Sequence, residues 1–519
     1  MNRAVLVATG ILLSRMVGFV RMRVFAHYFG LRSDAADAFN AAFRIPSFLQ
    51  ALFGEGALSS SFIPVYASLL AKGQQREADR VAGAIGAMVA ILASVVVLIG
   101  VLATPWLLGV IAPGFSGEKR ELAVAITRVL FPGAGLLVMS AWCLGILNSH
   151  HKFLLSYTAP VAWNAAMITT LVVFGARGDL PRLAVHLAWG SVVGSALQFL
   201  LQLPSVLRVA PDIRPLIDLS SEHVRTIGRN FVPVFISRGV VQLSGYIDAL
   251  LASLLPTGAV TGIANAMLLY TLPVSLFGMS VAASELPAMS GAAALDEAGA
   301  SVLRARLDAG LRQIAFFVVP SSVAFLALGD VVAGAVLQTG RFTQADARYV
   351  WAILAGSSIG LVASTLGRLY SSTFFALRDP RTPLRFAIVR VSLTTVLGYL
   401  FALPLPRLLG IDPSWGAAGL TASAGLAGWV EMLLLRSRLH RRVGATSMRA
   451  SYLLSLWAAA LVSAGLGWAV KLSLPPLHPV LVGGAVLIPY GLAYFAVTAT
   501  TGIPEAQVTL RRALRVVRR

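Results

Sequence analysis

The residues of this chain that could do chemistry are ionisable groups set inside long apolar runs. Arg15, Arg21 and Arg23 fall in a run over 3–29, Asp37, Arg44 and Glu55 in one over 35–70, and Arg238 and Asp248 in one over 224–255. Glu285, Arg368 and Glu431 stand singly in later runs. An ionised side chain at bilayer depth is costly unless it meets water, a partner or a ligand. At about 100° per residue along a helix, Asp37, Arg44 and Glu55 share one stripe and Ser14 aligns with Arg21. In the 224–255 run, Arg238/Gln242 and Ser244/Asp248 are each one helical turn apart. Arg44 can pair with Asp37 or Glu55 as a structural lock, whereas Arg15 and Arg21 have no acidic neighbour in their own run. A cationic surface left uncompensated suits an anionic ligand, because guanidinium groups grip phosphate oxygens bidentately. Covalent chemistry is not indicated. The sequence holds no phosphate loop, no paired catalytic carboxylates and no nucleophile elbow; Cys143 is its single cysteine and its seven histidines show no ligand spacing. The expectation is a protein that is not an enzyme, with no metal site and no cofactor.

The elements that must position these groups are membrane-spanning helices. Of the 519 residues 57% are hydrophobic and 12% charged, with mean hydropathy +0.79, against about 25% charged in an ordinary soluble domain. Apolar runs of about 18 residues or more, each able to cross about 30 Å of hydrocarbon, recur from end to end. This excludes a soluble enzyme and a secreted disulfide scaffold, and the unbroken stretches exclude a barrel of alternating segments. The reading is an all-α polytopic membrane protein of about 14 transmembrane helices. The first run is read as a retained span rather than a signal peptide, since Arg15, Arg21 and Arg23 interrupt its continuation. Pro46, Gly54 and Gly56 predict a kink or hinge in the second span, and Gly190/Gly194 predict close helix packing.

The formal charge of +20 does not point to nucleic acid, because the cations lie between the apolar runs. With a cytoplasmic N-terminus, about 26 cations fall in inside segments and about 10 outside. The excess is thus a topology signal with both termini cytoplasmic, and an attraction to anionic lipid in the bilayer.

Several features recur about 225 residues apart in the same order. Ser14-Arg15 matches Ser237-Arg238. Phe53-Gly54 with Ser60 and Pro64 matches Phe277-Gly278 with Ser284 and Pro287. Gly114-Phe115 answers Gly340-Arg341-Phe342, and the loop at Asn148 to Lys152 answers that at Arg378 to Arg381. Six helices per copy, an even number, make a parallel repeat of two lobes around a central cavity. The layout is an N-lobe over 1–209, a linker or interfacial helix over 210–223 and a C-lobe over 224–442. Two further helices over 443–505 and a basic cytoplasmic tail over 506–519 follow.

Ser14-Arg15-Met16-Val17-Gly18-Phe19-Val20-Arg21 resembles the opening signature of the MurJ (MviN) lipid II flippases, of the multidrug/oligosaccharidyl-lipid/polysaccharide exporter superfamily. So do Asp37-Ala38-Phe39, Phe43-Arg44-Ile45-Pro46, Phe53-Gly54-Glu55-Gly56-Ala57, Gly340-Arg341-Phe342-Thr343 and Phe375-Ala376-Leu377-Arg378-Asp379, in family order along nearly the whole chain. The resemblance implies a multi-pass protein of the bacterial inner membrane. It would move undecaprenyl-diphosphate-linked peptidoglycan precursor from the inner to the outer leaflet by alternating access. It implies cavity arginines at Arg15 and Arg21, with Ser14 and Asp37 in the family's neighbouring positions; lipid II is the implied ligand and cell-wall synthesis proteins are candidate partners. The substrate-site candidates are Ser14, Arg15, Arg21, Asp37, Arg44, Gln50, Glu55, Arg238 and Asp248.

The sequence departs from the family pattern at three places. Gln50 stands where many members have a further cavity arginine, and Met267 and Leu268 stand where they have an Asp-Arg pair. Arg238 is a candidate replacement. Gly398 and Ala402 stand at the positions of a sodium-binding Asn-x-x-x-Asp pair, which argues against sodium coupling by that route. It leaves the membrane potential, about 2.3 kcal/mol per charge per 100 mV, or another ion gradient as an energy source. Two other readings stay open: export of another polyprenyl-diphosphate glycan or amphiphile, and a non-transporting scaffold for cell-wall assembly.

Overall fold

The computed structural model describes the backbone of residues 3–509 except 217, 219, 293–296, 446–449 and 508. Side chains are described for the same residues except 3–9, 11, 46, 54–56, 236–244, 287, 288, 290–292, 297 and 298. In order, the helices are α1 (Arg3–Phe29), α2 (Asp34–Gln50), α3 (Ser59–Ala71), α4 (Gln75–Ile111), α5 (Gly117–Ser149), α6 (Phe153–Phe174) and α7 (Leu180–Val209). They continue as α8 (Glu222–Ser253), α9 (Ala259–Pro273), α10 (Ser280–Ala292), α11 (Glu297–Ala327), α12 (Gly329–Leu337), α13 (Gln344–Ser358) and α14 (Leu361–Ala376). The last are α15 (Arg381–Ala402), α16 (Pro404–Leu408), α17 (Gly416–Val443), α18 (Ala450–Ser473) and α19 (Pro479–Thr500). Among the described residues the only β-type pairing is the isolated bridge between Thr339 and Phe342.

Among the described residues, ten helices are long and apolar enough to cross a membrane, and α13 with α14, bent by 42°, makes an eleventh. Three other long rods, α1, the run α2 to α3, and α8, carry the charges picked out above, and with them the rods are consistent with fourteen spans. Local chemistry sets the ends: Ser33 caps α2 by accepting from the Ala36 amide, and Thr343 with Asp346 forms a capping box at α13.

The chain divides into two compact units, Met1–Thr261 with Thr339–Phe342, and Gly262–Gln338 with Thr343–Arg519. In the first, α5 packs on α2, α4 and α7, and α6 lies against α1 and α7. Its core includes Phe62, Tyr66, Trp142, Cys143 and Ile146. Gly190 and Gly194 bring α7 onto Thr170 and Trp163 of α6, where a β-carbon would collide. Residues 210–216 and 218, within the expected linker, form no helix. In the second unit α15 packs along α17, α13 and α14 pack on α17, and α18 pairs with α19.

Two backbone devices occur at repeat-equivalent positions. Ala51–Leu58 and Val274–Met279 are π-helical, and each contains the Phe-Gly pair that defines the repeat. The expected kink in the second span is therefore a π-helical interruption, joining α2 to α3 as its counterpart joins α9 to α10. The second device is a turn. Among the described residues only His151 (φ 58°) and Arg378 (φ 56°) are non-glycine residues with positive φ. The Lys152 amide donates to Leu147 O and the Asp379 amide to Phe374 O, so α5 and α14 end in the same Schellman closure.

Candidate functional site

All nine candidate residues belong to the first unit, on α1, α2, the π segment and α8. The structure treats them differently. Ser14 is half-buried and Arg15 exposed, on a face of α1 that also exposes Leu12, Met16 and Val20. Arg21 turns inward. Its guanidinium lies 5.0 Å from the Trp163 ring and 5.5 Å from that of Phe43, two rings that stack on each other, and its Nη1 donates to the sulfur of Met167 at 3.4 Å. Among the described residues its buried Nε has no hydrogen-bond partner. Aromatic faces attract a cation through their quadrupoles without cancelling its charge, as a carboxylate would.

Asp37 is 1% exposed and fully engaged. Its carboxylate accepts from Lys119 Nζ at 2.9 Å, from the Gly258 and Thr261 amides at 2.9 Å each, and from the Thr261 hydroxyl at 2.7 Å. The two amides belong to the opening turn of α9, so Asp37 caps that helix from a distance of over 200 residues in sequence. Asp34 joins through Lys119 at 3.1 Å and the Thr257 hydroxyl at 2.8 Å. Gly258 holds φ +101° against Arg32, a conformation that excludes most side chains. Beside this cluster the Arg341 amide donates to His27 O at 2.9 Å, and His27 Nδ1 meets the Thr339 hydroxyl at 2.9 Å. One end of the first unit is thus closed by hydrogen bonds among residues 27–37, 119, 257–261 and 339–341.

Arg44 reaches α8 rather than its own helix. Its Nη1 donates to Gly245 O at 3.2 Å, the Tyr246 hydroxyl donates to Arg44 O at 3.1 Å, and Asp248 lies close enough to act on it electrostatically. The lock expected between Arg44 and Asp37 is replaced by these pairings, because Asp37 is taken by Lys119 and α9; the alternative lock with Glu55 falls on a side chain outside the described residues. The single stripe through Asp37, Arg44 and Glu55 also needs correction. It assumed α-helical register, which ends at Gln50 where the π turn begins. Gln50 is half-buried and lines a cavity of about 10 Å³ with Ser47, Trp163, Ser191 and Ser195. The side chains of Glu55 and Arg238 lie outside the described residues.

Several charges of the second unit are paired. Glu431 meets Arg390 at 2.9 Å, Glu285 meets Arg306 at 3.5 Å and Asp330 meets Lys471 at 2.6 Å. Arg368 is exposed one turn from Ser364, which bonds the Tyr270 hydroxyl at 2.7 Å. Sequence reasoning missed Lys119, Thr257, Thr261 and Trp163. The first follows the Gly114-Phe115 loop and packs over Phe115 at 4.6 Å, but nothing local links it to Asp37.

Long apolar rods, two of them broken by π turns, with ionisable groups gathered on three helices of one unit, define a polytopic membrane transporter. A family profile described as Lipid II flippase MurJ matches residues 25–481, and the chain belongs to that family. Among its relatives, the lipid II flippase MurJ of Burkholderia cenocepacia is 32% identical, covering 97% of this chain and 98% of that protein. The probable lipid II flippase MurJ of Vibrio cholerae serotype O1 is 29% identical over 85% and 83%. Among solved structures, an inward closed lipid II flippase MurJ superposes with TM-score 0.78 at 21% identity over 96% and 98% of the two chains. An inward-facing multidrug resistance MATE family transporter of the MOP superfamily gives 0.67 at 18% over 85% and 99%. At these identities the structural likeness speaks to the fold.

Proposed function

We propose that this chain carries lipid II, the undecaprenyl-diphosphate-linked disaccharide-pentapeptide, from the inner to the outer leaflet of the bacterial inner membrane. The observation that carries this reading is Arg21, a guanidinium at bilayer depth held by Trp163 and Phe43 with no carboxylate partner among the described residues. A cation held by π faces keeps its field, and a diphosphate can draw it out by exchanging weak ring contacts for charge-assisted bidentate bonds. Arg15, exposed about two turns earlier on α1, is the second cation in reach of such a ligand.

Both termini are assigned to the cytoplasm by the loop charges, which puts the Asp37 cluster on the periplasmic side. With that end closed, the substrate enters from the cytoplasmic side while its lipid tail stays in the bilayer. Opening to the other side requires Asp37 to release Lys119 and the opening turn of α9. The π turns supply two helices in which backbone hydrogen bonds can shift register without unfolding. No covalent step is involved. The membrane potential supplies the drive, and Gln50, Met267 and Leu268 leave the cavity with fewer arginines than the family pattern. That reduced set supports the second reading, export of another polyprenyl-diphosphate glycan.

The test is replacement of the lipid II flippase of a bacterial host by this protein. The readout is the fraction of lipid II reached by an externally added enzyme that cleaves it. Exposure restored by the wild-type chain and lost in Arg15→Ala and Arg21→Ala is the expected result. No exposure, with membrane insertion confirmed, transfers the proposal to the second reading.

A further inference from the structure

Two helical faces of the second unit converge on a pocket lined by none of the candidate substrate residues. It lies where α15 begins and α17 ends, and encloses about 360 Å³. Arg385 and Thr382 line it from α15, and Ser437, Arg438 and Arg441 from α17, with Phe386 and Leu434 completing the wall. Positions 382, 385 and 386, and likewise 434, 437, 438 and 441, follow the spacing of one helical face.

Two other cations of these helices are already neutralised. Arg442 holds Asp379 at 3.0 Å, and one turn deeper Arg390 holds Glu431 at 2.9 Å. Among the described residues, no carboxylate pairs with Arg385, Arg438 or Arg441. The cytoplasmic bias of loop cations accounts for the number of arginines here, and the helix dipole favours them at the end of α17. Neither brings three guanidinium groups from two helices, with two hydroxyls and no acid, onto one pocket. Like charges so placed repel, and a bound anion relieves the repulsion.

The flanking surface identifies the kind of anion. Beside and below the pocket, Leu384, Ile388, Val389 and Leu433 are 51%, 55%, 43% and 51% exposed, an apolar face without cover among the described residues. A ligand with a phosphate head and hydrocarbon chains meets both surfaces at once. We propose that this pocket binds the phosphate headgroup of an anionic phospholipid of the cytoplasmic leaflet, with its acyl chains along α15 and α17. The bound lipid ties the two helix ends together at the membrane surface.

The test uses the full chain in neutral detergent, titrated with phosphatidylglycerol or phosphatidylcholine, with retained lipids counted by native mass spectrometry. The wild type is expected to retain one phosphatidylglycerol more than a variant carrying Arg385→Gln, Arg438→Gln and Arg441→Gln. Apparent affinity for that lipid falls at least tenfold, and phosphatidylcholine shows no difference. A variant carrying Lys72→Gln, Arg76→Gln and Arg208→Gln removes equal charge elsewhere and keeps the lipid. Ser437→Trp fills the pocket with every charge in place and loses it, so the result does not hang on one variant's folding. Equal retention by the wild type and the pocket variants overturns the proposal, as does equal loss from the control. Glycerophosphoglycerol competing as well as the intact lipid overturns it in favour of a soluble phosphate ester. The readout is binding, so failure here is separate from failure of the flipping assay.

Discussion

The runs α2–α3 and α9–α10 share a backbone plan, an α-helix broken by a π turn at a Phe-Gly pair, but differ in what they carry. The first run holds Asp34, Asp37, Arg44 and Glu55; the second holds Glu285 alone. The same contrast extends to their units. In the first, Arg21 rests on aromatic rings and Arg44 on a carbonyl, while in the second Arg390, Arg306 and Lys471 each meet a carboxylate. A paired charge stabilises a helix contact, whereas a cation held by rings stays available to a ligand. The two runs therefore share their mechanics, and the side chains of the first carry most of the charge.

The largest effect expected from breaking this contrast is at Asp37. Asp37→Ala leaves Lys119 and two amides of α9 without their acceptor, and removing one member of a buried ion pair costs about 3–5 kcal/mol. Thermal unfolding in detergent should show that loss. Lys119→Met should cost less, and the double variant should fall short of the sum, since both act in one cluster.

A sharper comparison sets Arg21 against Arg390. Arg21→Ala should lower lipid II exposure at least tenfold while costing about 1–2 kcal/mol, the scale of a desolvated cation–π contact. Arg390→Met, which removes a half-exposed partner of Glu431, should cost about 1 kcal/mol and leave exposure within twofold. Equal transport loss in both variants would refute the division of roles.

The equivalent turns after α5 and α14 differ in chemistry too, and pH separates them. Burial holds His150 below its ordinary value, helped by His151 and Lys152 and opposed by Asp79, while its Nε2 meets the Tyr66 hydroxyl at 2.9 Å. The unfolded chain thus takes up that proton more readily. The stability from neutral His150 is complete above about pH 6.5 and is lost as pH falls through that value. Asp379 is pushed up by burial, but the Thr382 hydroxyl and amide and Arg442 outweigh this and leave it below its ordinary value. Its stability is present above about pH 3.9 and is lost below that. Unfolding followed from pH 8 to pH 3 should lose its slope below about 6.5 in His150→Asn, while Asp379→Asn should lower stability throughout and lose the slope below about 3.9.

The smallest effect tests the repeat itself. His151→Gly and Arg378→Gly each relieve a left-handed conformation worth about 1–2 kcal/mol and add unfolded-chain entropy of about 0.5–1 kcal/mol. Each should change stability by less than about 1 kcal/mol, in the same direction and by similar amounts.

The repeat, the helical class and the three charge-bearing rods were legible in the chain because each rests on local information. Spans follow from runs of apolar residues, and the Phe-Gly pairs and the loops at Asn148 and Arg378 announced matching positions. Register was not legible through the π turn. Periodicity assumes 3.6 residues per turn; Gly54 and Gly56 announced a break, but nothing in Ala51 to Leu58 signals that it is a wider turn that ends the α-helical register at Gln50.

What the sequence determined by itself is where charge enters the membrane and in what order the helices follow, since hydrophobicity and chain order are properties of the string. Which group each charge meets was decided by tertiary structure. Asp37 lies 82 residues from Lys119 and 224 from Thr261, and Arg21 lies 146 from Met167. Hydrogen bonds and ring contacts act over a few ångströms, so only the fold that brings those segments together could choose a capped helix for Asp37 and aromatic faces for Arg21.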